Sequence, residues 1–197
     1  MFATRRLLRR STSIIFLGVF LAVTSFAQGK NNDLKSVDDR RKELKQLIAD
    51  EWEYEMRESP ESATALGNYR YNDRWSDLSL AHVQQQKQDV GKWLARFNAI
   101  DTTGFPEQEK LNQSLMVRNL KETLESIELK IYEMPINQFF GAHLQLAQFV
   151  ALVPIDSTKH YDDYLARLHK VPVLVSQLTE VLQQGEKDNR VSCWRKR

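Results

Sequence analysis

Four histidines, one cysteine and several paired acids are the residues of this chain whose types could do chemistry. A zinc peptidase site of the common kind needs two His one helical turn apart with a Glu between them, so that both imidazoles reach one metal and the carboxylate polarises its water. No such motif is present. His160 and His169 stand nine residues apart, which on one helix at about 100° per residue turns the two rings to opposite sides. His82 and His143 have no ligand-type neighbour at i+3 or i+4. Serine chemistry lacks the Gly-x-Ser-x-Gly elbow, and no glycine-rich phosphate loop occurs. The acid pairs Asp38-Asp39 and Asp162-Asp163 fall in first turns of expected helices, where they complement the macrodipole. No catalytic residue is therefore assigned, and no metal or cofactor is expected in this chain.

One internal stretch stands out as a candidate site. In "INQFFGAHLQL" the residues Asn137, Gln138, Gly141 and His143 interrupt an otherwise apolar run. Two roles fit. Asn137 and Gln138 can cap helix ends while His143 bonds a backbone carbonyl, because buried polar groups need partners; or the stretch lines a substrate cleft.

The elements that must position these residues read as helices throughout. Gly and Pro are scarce while Leu, Gln, Glu, Lys and Arg are abundant, so the expected class is all-α. Ser36 opens a helix with Val37, Leu44, Leu47, Ile48, Trp52 and Met56 at helical spacing up to Glu58. Ser59-Pro60 starts a short helix closed by Gly67, and an aromatic-rich loop follows. Ser79 opens the next helix. "DTTGFP" breaks it, and from Glu107 a long helix carries Leu111, Leu115, Leu120, Leu124, Ile127 and Ile131 on one face. These two should form an antiparallel hairpin. Leu144, Leu146, Phe149, Val150, Leu152 and Val153 go round most of a helix, as expected for a segment buried on several sides. Ser157 or Thr158 starts a helix with Tyr161, Tyr164, Leu165 and Leu168. Pro172 starts a last one, with Gly185 as its expected stop.

The N-terminus resembles an export signal. Arg5, Arg6, Arg9 and Arg10 precede an apolar run from Ile14 to Val23 and the small-residue site Ser25-Phe26-Ala27, so cleavage is expected between Ala27 and Gln28. The run is shorter than a membrane span requires. "TRRLLR" resembles a twin-arginine signal, but the strongly apolar core fits general secretory export, to the periplasm or beyond. Residues 28–35 read as a polar linker and residues 36–188 as the helical region. Of 28 basic residues, four lie in this leader and four, Arg190, Arg195, Lys196 and Arg197, near the end; the body keeps 20 against 26 acids, about −6. That balance argues against nucleic acid as partner. A single cysteine excludes an internal disulfide.

Three stretches in order, "SPESATALGNYRYNDRWSDLS", "MPINQFFGAHLQL" and "YDDYLARLHKVPVLVSQLTEVLQQG", resemble the bacterial family called domain of unknown function 885. Asn72 stands where that family more often has Asp. The resemblance covers Leu44 to Asp188 and implies an all-helical exported protein much longer than this chain, similar to zinc metallopeptidases through a His-Glu motif beyond residue 197. On that resemblance the chain is the N-terminal portion of an incomplete fold, a scaffold and cleft wall inactive alone. Zinc and a peptide substrate belong to full-length relatives, and Asn137, Gln138, Gly141 and His143 are carried over as cleft-facing. The alternative is a self-sufficient periplasmic helical module that binds a small ligand or a protein. Residues 189–197, "NRVSCWRKR", differ in character from what precedes them, and a reading-frame shift near Asn189 or Arg190 would account for them. Cys193 and Trp194 are accordingly not read as a site.

Overall fold

The structure, a computed structural model, describes residues 35–190 apart from 138 and 140, with His143 described by its backbone alone. The expected leader, the Ala27–Gln28 cleavage point, Gln138 and the 191–197 tail lie outside the described residues. Among the described residues the secondary structure is helical without strands. α1 spans Val37–Glu58, α2 Pro60–Ala65, α3 Leu80–Asn98, α4 Glu107–Glu128, α5 Ala142–Phe149, α6 Thr158–His169 and α7 Val171–Lys187. Single 3₁₀ turns occur at Tyr69–Tyr71, inside the expected aromatic loop, and at Ile131–Glu133 and Val150–Leu152. No helix among the described residues is long and apolar enough to cross a membrane.

Local chemistry sets the helix starts. Ser36, Ser79 and Ser157 each accept from the backbone N–H three residues on, satisfying a donor that has no partner inside the helix. Gly67 closes the turn after α2 at φ +82°, a conformation that costs glycine little.

α3 and α4 form the expected antiparallel hairpin. Lys87 pairs with Glu128 at one end, and Gln113 donates to the Phe97 and Ile100 carbonyls (2.8 and 2.9 Å) at the other. α1 lies across both, joined by Arg40 to Asp101 and by a forked Arg41–Glu109 pair at 2.8 Å. The core between these three helices is Leu44, Leu47, Val90, Phe97, Ile100, Phe105 and Leu120, flanked by Trp93, Met116, Val117 and Leu124.

Several expected faces are displaced. On α1 Leu44, Leu47, Glu51, Tyr54 and Met56 are buried, while Val37 and Trp52 of the expected face stand 38% and 52% exposed. The stripe at three- and four-residue steps is the one that meets α3, and Trp52 lies one 100° step off it. On α4 Leu120 and Ile127 are buried and Leu124 packs against the core, but Leu111 and Leu115 are half exposed, as is Ile131 in the 3₁₀ turn beyond the helix. Met116 and Val117 pack in their place, because α1 covers that side of the hairpin.

The segment expected to be buried on several sides is not. It breaks into α5 and a 3₁₀ turn, burying Phe149 and Val153 while Val150 and Leu152 face outward. On α6, Tyr161, Leu165 and Leu168 are exposed and Arg167 is the fully buried residue. Gly185 does not stop α7, which continues to Lys187. Its hydrogen side chain instead lets the helix touch the 3₁₀ turn after α4: a Cβ there would collide with the Glu133 carbonyl oxygen. The residues that follow α7 are held at the same place by ion pairs from Lys130 to Asp188 and from Arg190 to the buried Glu133 carboxylate (3.3 Å).

Candidate functional site

The loop from Asp73 to Ser79 carries few residues that favour regular structure, so side-chain bonds determine its path. Both Glu61 oxygens accept from the Ser76 backbone N–H (3.0 and 3.3 Å), and the Ser76 hydroxyl donates to the same carboxylate. Gln177 on α7 accepts from the Leu78 N–H (3.1 Å) and donates to Asp77 (2.8 Å). Lys170 donates to the Asp73 carbonyl (2.7 Å) and the Trp75 indole N–H to the Arg167 carbonyl (2.8 Å). The loop is thereby fastened to α2 on one side and to α6 and α7 on the other.

Arg167 is the interior support of this arrangement. Its guanidinium is 0% exposed and donates to the Tyr71 carbonyl (2.8 Å), the Thr64 hydroxyl (3.2 Å) and the Pro60 carbonyl (3.4 Å). It lies over the Phe149 ring at 4.6 Å and the Trp75 ring at 5.3 Å, a cation–π arrangement that strengthens when desolvated. The two rings themselves meet at 5.0 Å. Burial lowers the proton affinity of Arg167, countered by the charges of Glu61, Asp73 and Asp163. It forms no ion pair among the described residues, and its Nε–H has no partner. Asn72, also buried, joins the same cluster through the Thr64 hydroxyl at 2.6 Å.

In front of the two rings lies a cleft of about 420 Å³ between α2, the 75–78 loop, α5 and α7. Trp75, Phe149, Leu146, Leu152 and Leu174 supply its apolar surface, and Glu61, Gln145 and Gln148 its polar one. A second chamber of about 330 Å³ shares Ser59, Ser76 and Leu78 as a common wall. It is lined by Glu58, Asp77, His82, Gln86, Tyr132 and Leu178, among others. There His82 Nε2 lies 3.3 Å from Glu58, a partner on α1 that local spacing could not show. Burial works against ionisation of Asp77, but donation from the Ser79 backbone and hydroxyl, the nearby His82 and Gln177 outweigh it and hold its carboxyl below the ordinary range.

The candidate stretch borders this cleft by its C-terminal part. Asn137 is exposed and its side chain accepts from the Phe139 N–H (2.8 Å), while Gly141 is buried at φ 143°, where only glycine is unstrained, and starts α5. α5 includes His143, whose side chain lies outside the described residues, and Ala142, Gln145, Leu146, Gln148 and Phe149 of the same helix line the cleft. Trp75, Glu61 and Arg167 were not singled out by sequence. Arg167 sits among exposed-type residues on an amphipathic helix, a position that carries no burial signal. Among the described residues no three His, Cys, Asp or Glu side chains converge on a metal position. What the arrangement can do is bind: ordered aromatic walls, two amides and a fixed carboxylate around a concave, largely apolar space.

A family model described as "Bacterial protein of unknown function (DUF885)" matches residues 60–195. No curated protein and no solved structure matches the chain. The matched span holds α2, the Trp75 loop and α3 through α7, well over half of the chain, and so the chain belongs to this bacterial family of unknown function, DUF885.

Proposed function

We propose that the chain supplies the helical scaffold and one wall of a peptide-binding cleft in an exported, metallopeptidase-like protein, and that it hydrolyses nothing by itself. The observation that carries this reading is the cleft in front of Trp75 and Phe149, whose rings are held from behind by the buried Arg167. Walls fixed before a ligand arrives lower the ordering cost of binding. A second observation supports the scaffold role: outside the cleft, Ile155 ahead of α6, Leu165 and Leu168 on α6, and Val173 and Val175 on α7 stand 36–59% exposed, apolar surface open to cover by a further segment. In this reading zinc and the hydrolytic water belong to other parts of full-length relatives.

Two measurements test it. Peptide binding to the purified chain, followed by Trp fluorescence, should occur without turnover, with or without added zinc. Chelator-sensitive cleavage of a peptide library by the chain would overturn the inactive-scaffold reading. The alternative, a self-sufficient binding module, requires a cooperative melt with no binding of an apolar-surface dye. The scaffold reading expects strong dye binding to the native state.

A further inference from the structure

The two chambers, taken together, select a kind of peptide, an inference that rests on the peptide-cleft reading above. They share the wall made by Ser59, Ser76 and Leu78 and differ in chemistry on its two sides. One side is aromatic and aliphatic, with Trp75, Phe149, Leu146 and Leu174; the other is polar, with Asp77, His82, Gln86 and Tyr132. Successive side chains of an extended peptide point in opposite directions. Adjacent residues of such a ligand therefore suit two chambers separated by one wall.

The charges at the wall indicate which residues these are. Among the described residues no Lys or Arg lines either chamber. Of the three lining carboxylates, Glu58 is already paired with Arg57 and His82. Glu61 and Asp77 accept hydrogen bonds from neutral donors, Ser76 for the one, Ser79 and Gln177 for the other, with His82 near Asp77. Neither makes an ion pair among the described residues, and a carboxylate offers about four acceptor positions, so both have acceptor capacity beyond these bonds. Arg167 lies behind the Trp75 and Phe149 rings and does not reach Glu61 as an ion pair. Three carboxylates against one imidazole, His82, give the described linings an acidic balance that complements a cationic ligand group, and charge-assisted bonds are about twice as strong as neutral ones.

We propose that the cleft takes a peptide in which an apolar side chain, packed against the Trp75 and Phe149 rings, adjoins a positively charged one at the shared wall, where Glu61 lines the first chamber and Asp77 the second. Calorimetry of the purified chain with the acetylated dipeptide amides Phe-Lys, Phe-Gln and Phe-Glu tests this. The lysine peptide should bind about tenfold more tightly than the glutamine peptide, the glutamate peptide more weakly than either, and the preference should shrink as salt rises. Glu61→Gln keeps an oxygen for Ser76 and should bring the lysine and glutamine peptides closer together. Equal affinity for all three peptides would overturn the charge selection and leave the cleft standing. Failure of all three to bind would overturn both, and the comparison needs no variant to fold.

Discussion

Glu51 allows the packing of α1 to be tested quantitatively. It occupies a core position between Leu47 and Tyr54, 8% exposed, and burial, followed by the charge of Glu55, pushes its carboxyl up from 4.5 to about 7. An acid whose proton affinity is higher folded than unfolded makes the folded state hold more protons. Its contribution to stability is thus full below about 4.5, falls as pH rises through the interval to about 7, and stays low above it. At about 1.4 kcal/mol for each tenfold in proton affinity, the loss across that interval is about 3 kcal/mol. Glu51→Gln, a neutral isostere of the protonated form, removes this dependence. Urea melts of both proteins across the pH range should show equal stability near pH 4.5 and the variant ahead by about 2–3 kcal/mol near pH 8. Glu55, raised by burial and by Glu58, leaves a residual slope of the same sign in both proteins. Parallel pH profiles, or a variant weaker than the parent near pH 8, would refute the placement of Glu51 in the core.

Further substitutions probe other parts of the fold. Arg167→Ala removes a buried donor shared by the Tyr71 and Pro60 carbonyls and the Thr64 hydroxyl and empties the space behind two rings, so urea melts should show a loss of about 3–5 kcal/mol. A loss near zero would remove Arg167 as the support of the cleft. Gly185→Ala drives a methyl against the Glu133 carbonyl, and overpacking of this kind costs about 1–3 kcal/mol, readable as a lower melting temperature. Phe97→Ala, at the fully buried centre of the three-helix core, should cost about 3–5 kcal/mol, whereas Leu111→Ser on the outer face of α4 should stay within about 0.5 kcal/mol. Equal losses for these last two would return Leu111 to the core.

The exposed apolar side chains of α6 and α7 and the prepared cleft support the proposed role from different directions. The first is surface that invites cover; the second is a cavity already held open by internal bonds. The cleft depends on the loop from Asp73 to Ser79 staying fastened, and Glu61, Arg167 and Gln177 fasten it from three separate helices.

What the sequence determined by itself was the local part. The helix starts at Ser36, Ser79 and Ser157 and the turn at Gly67 follow from bonds spanning three or four residues, and the α3–α4 hairpin follows from two amphipathic stretches with a short break. The all-α class and the family resemblance were legible for the same reason. Which side of each helix is covered was decided only by tertiary structure. Glu51 rather than Trp52, Met116 and Val117 rather than Leu111 and Leu115, and Arg167 rather than Leu168 are inside because of the helix that lies opposite, and no local pattern encodes the position of that helix. The cleft is the extreme case: Trp75 is held by Arg167, Leu78 by Gln177, and Arg167 by Thr64, pairs separated by about half the chain. Periodicity reports which residues can share a face, but burial and binding depend on what that face meets.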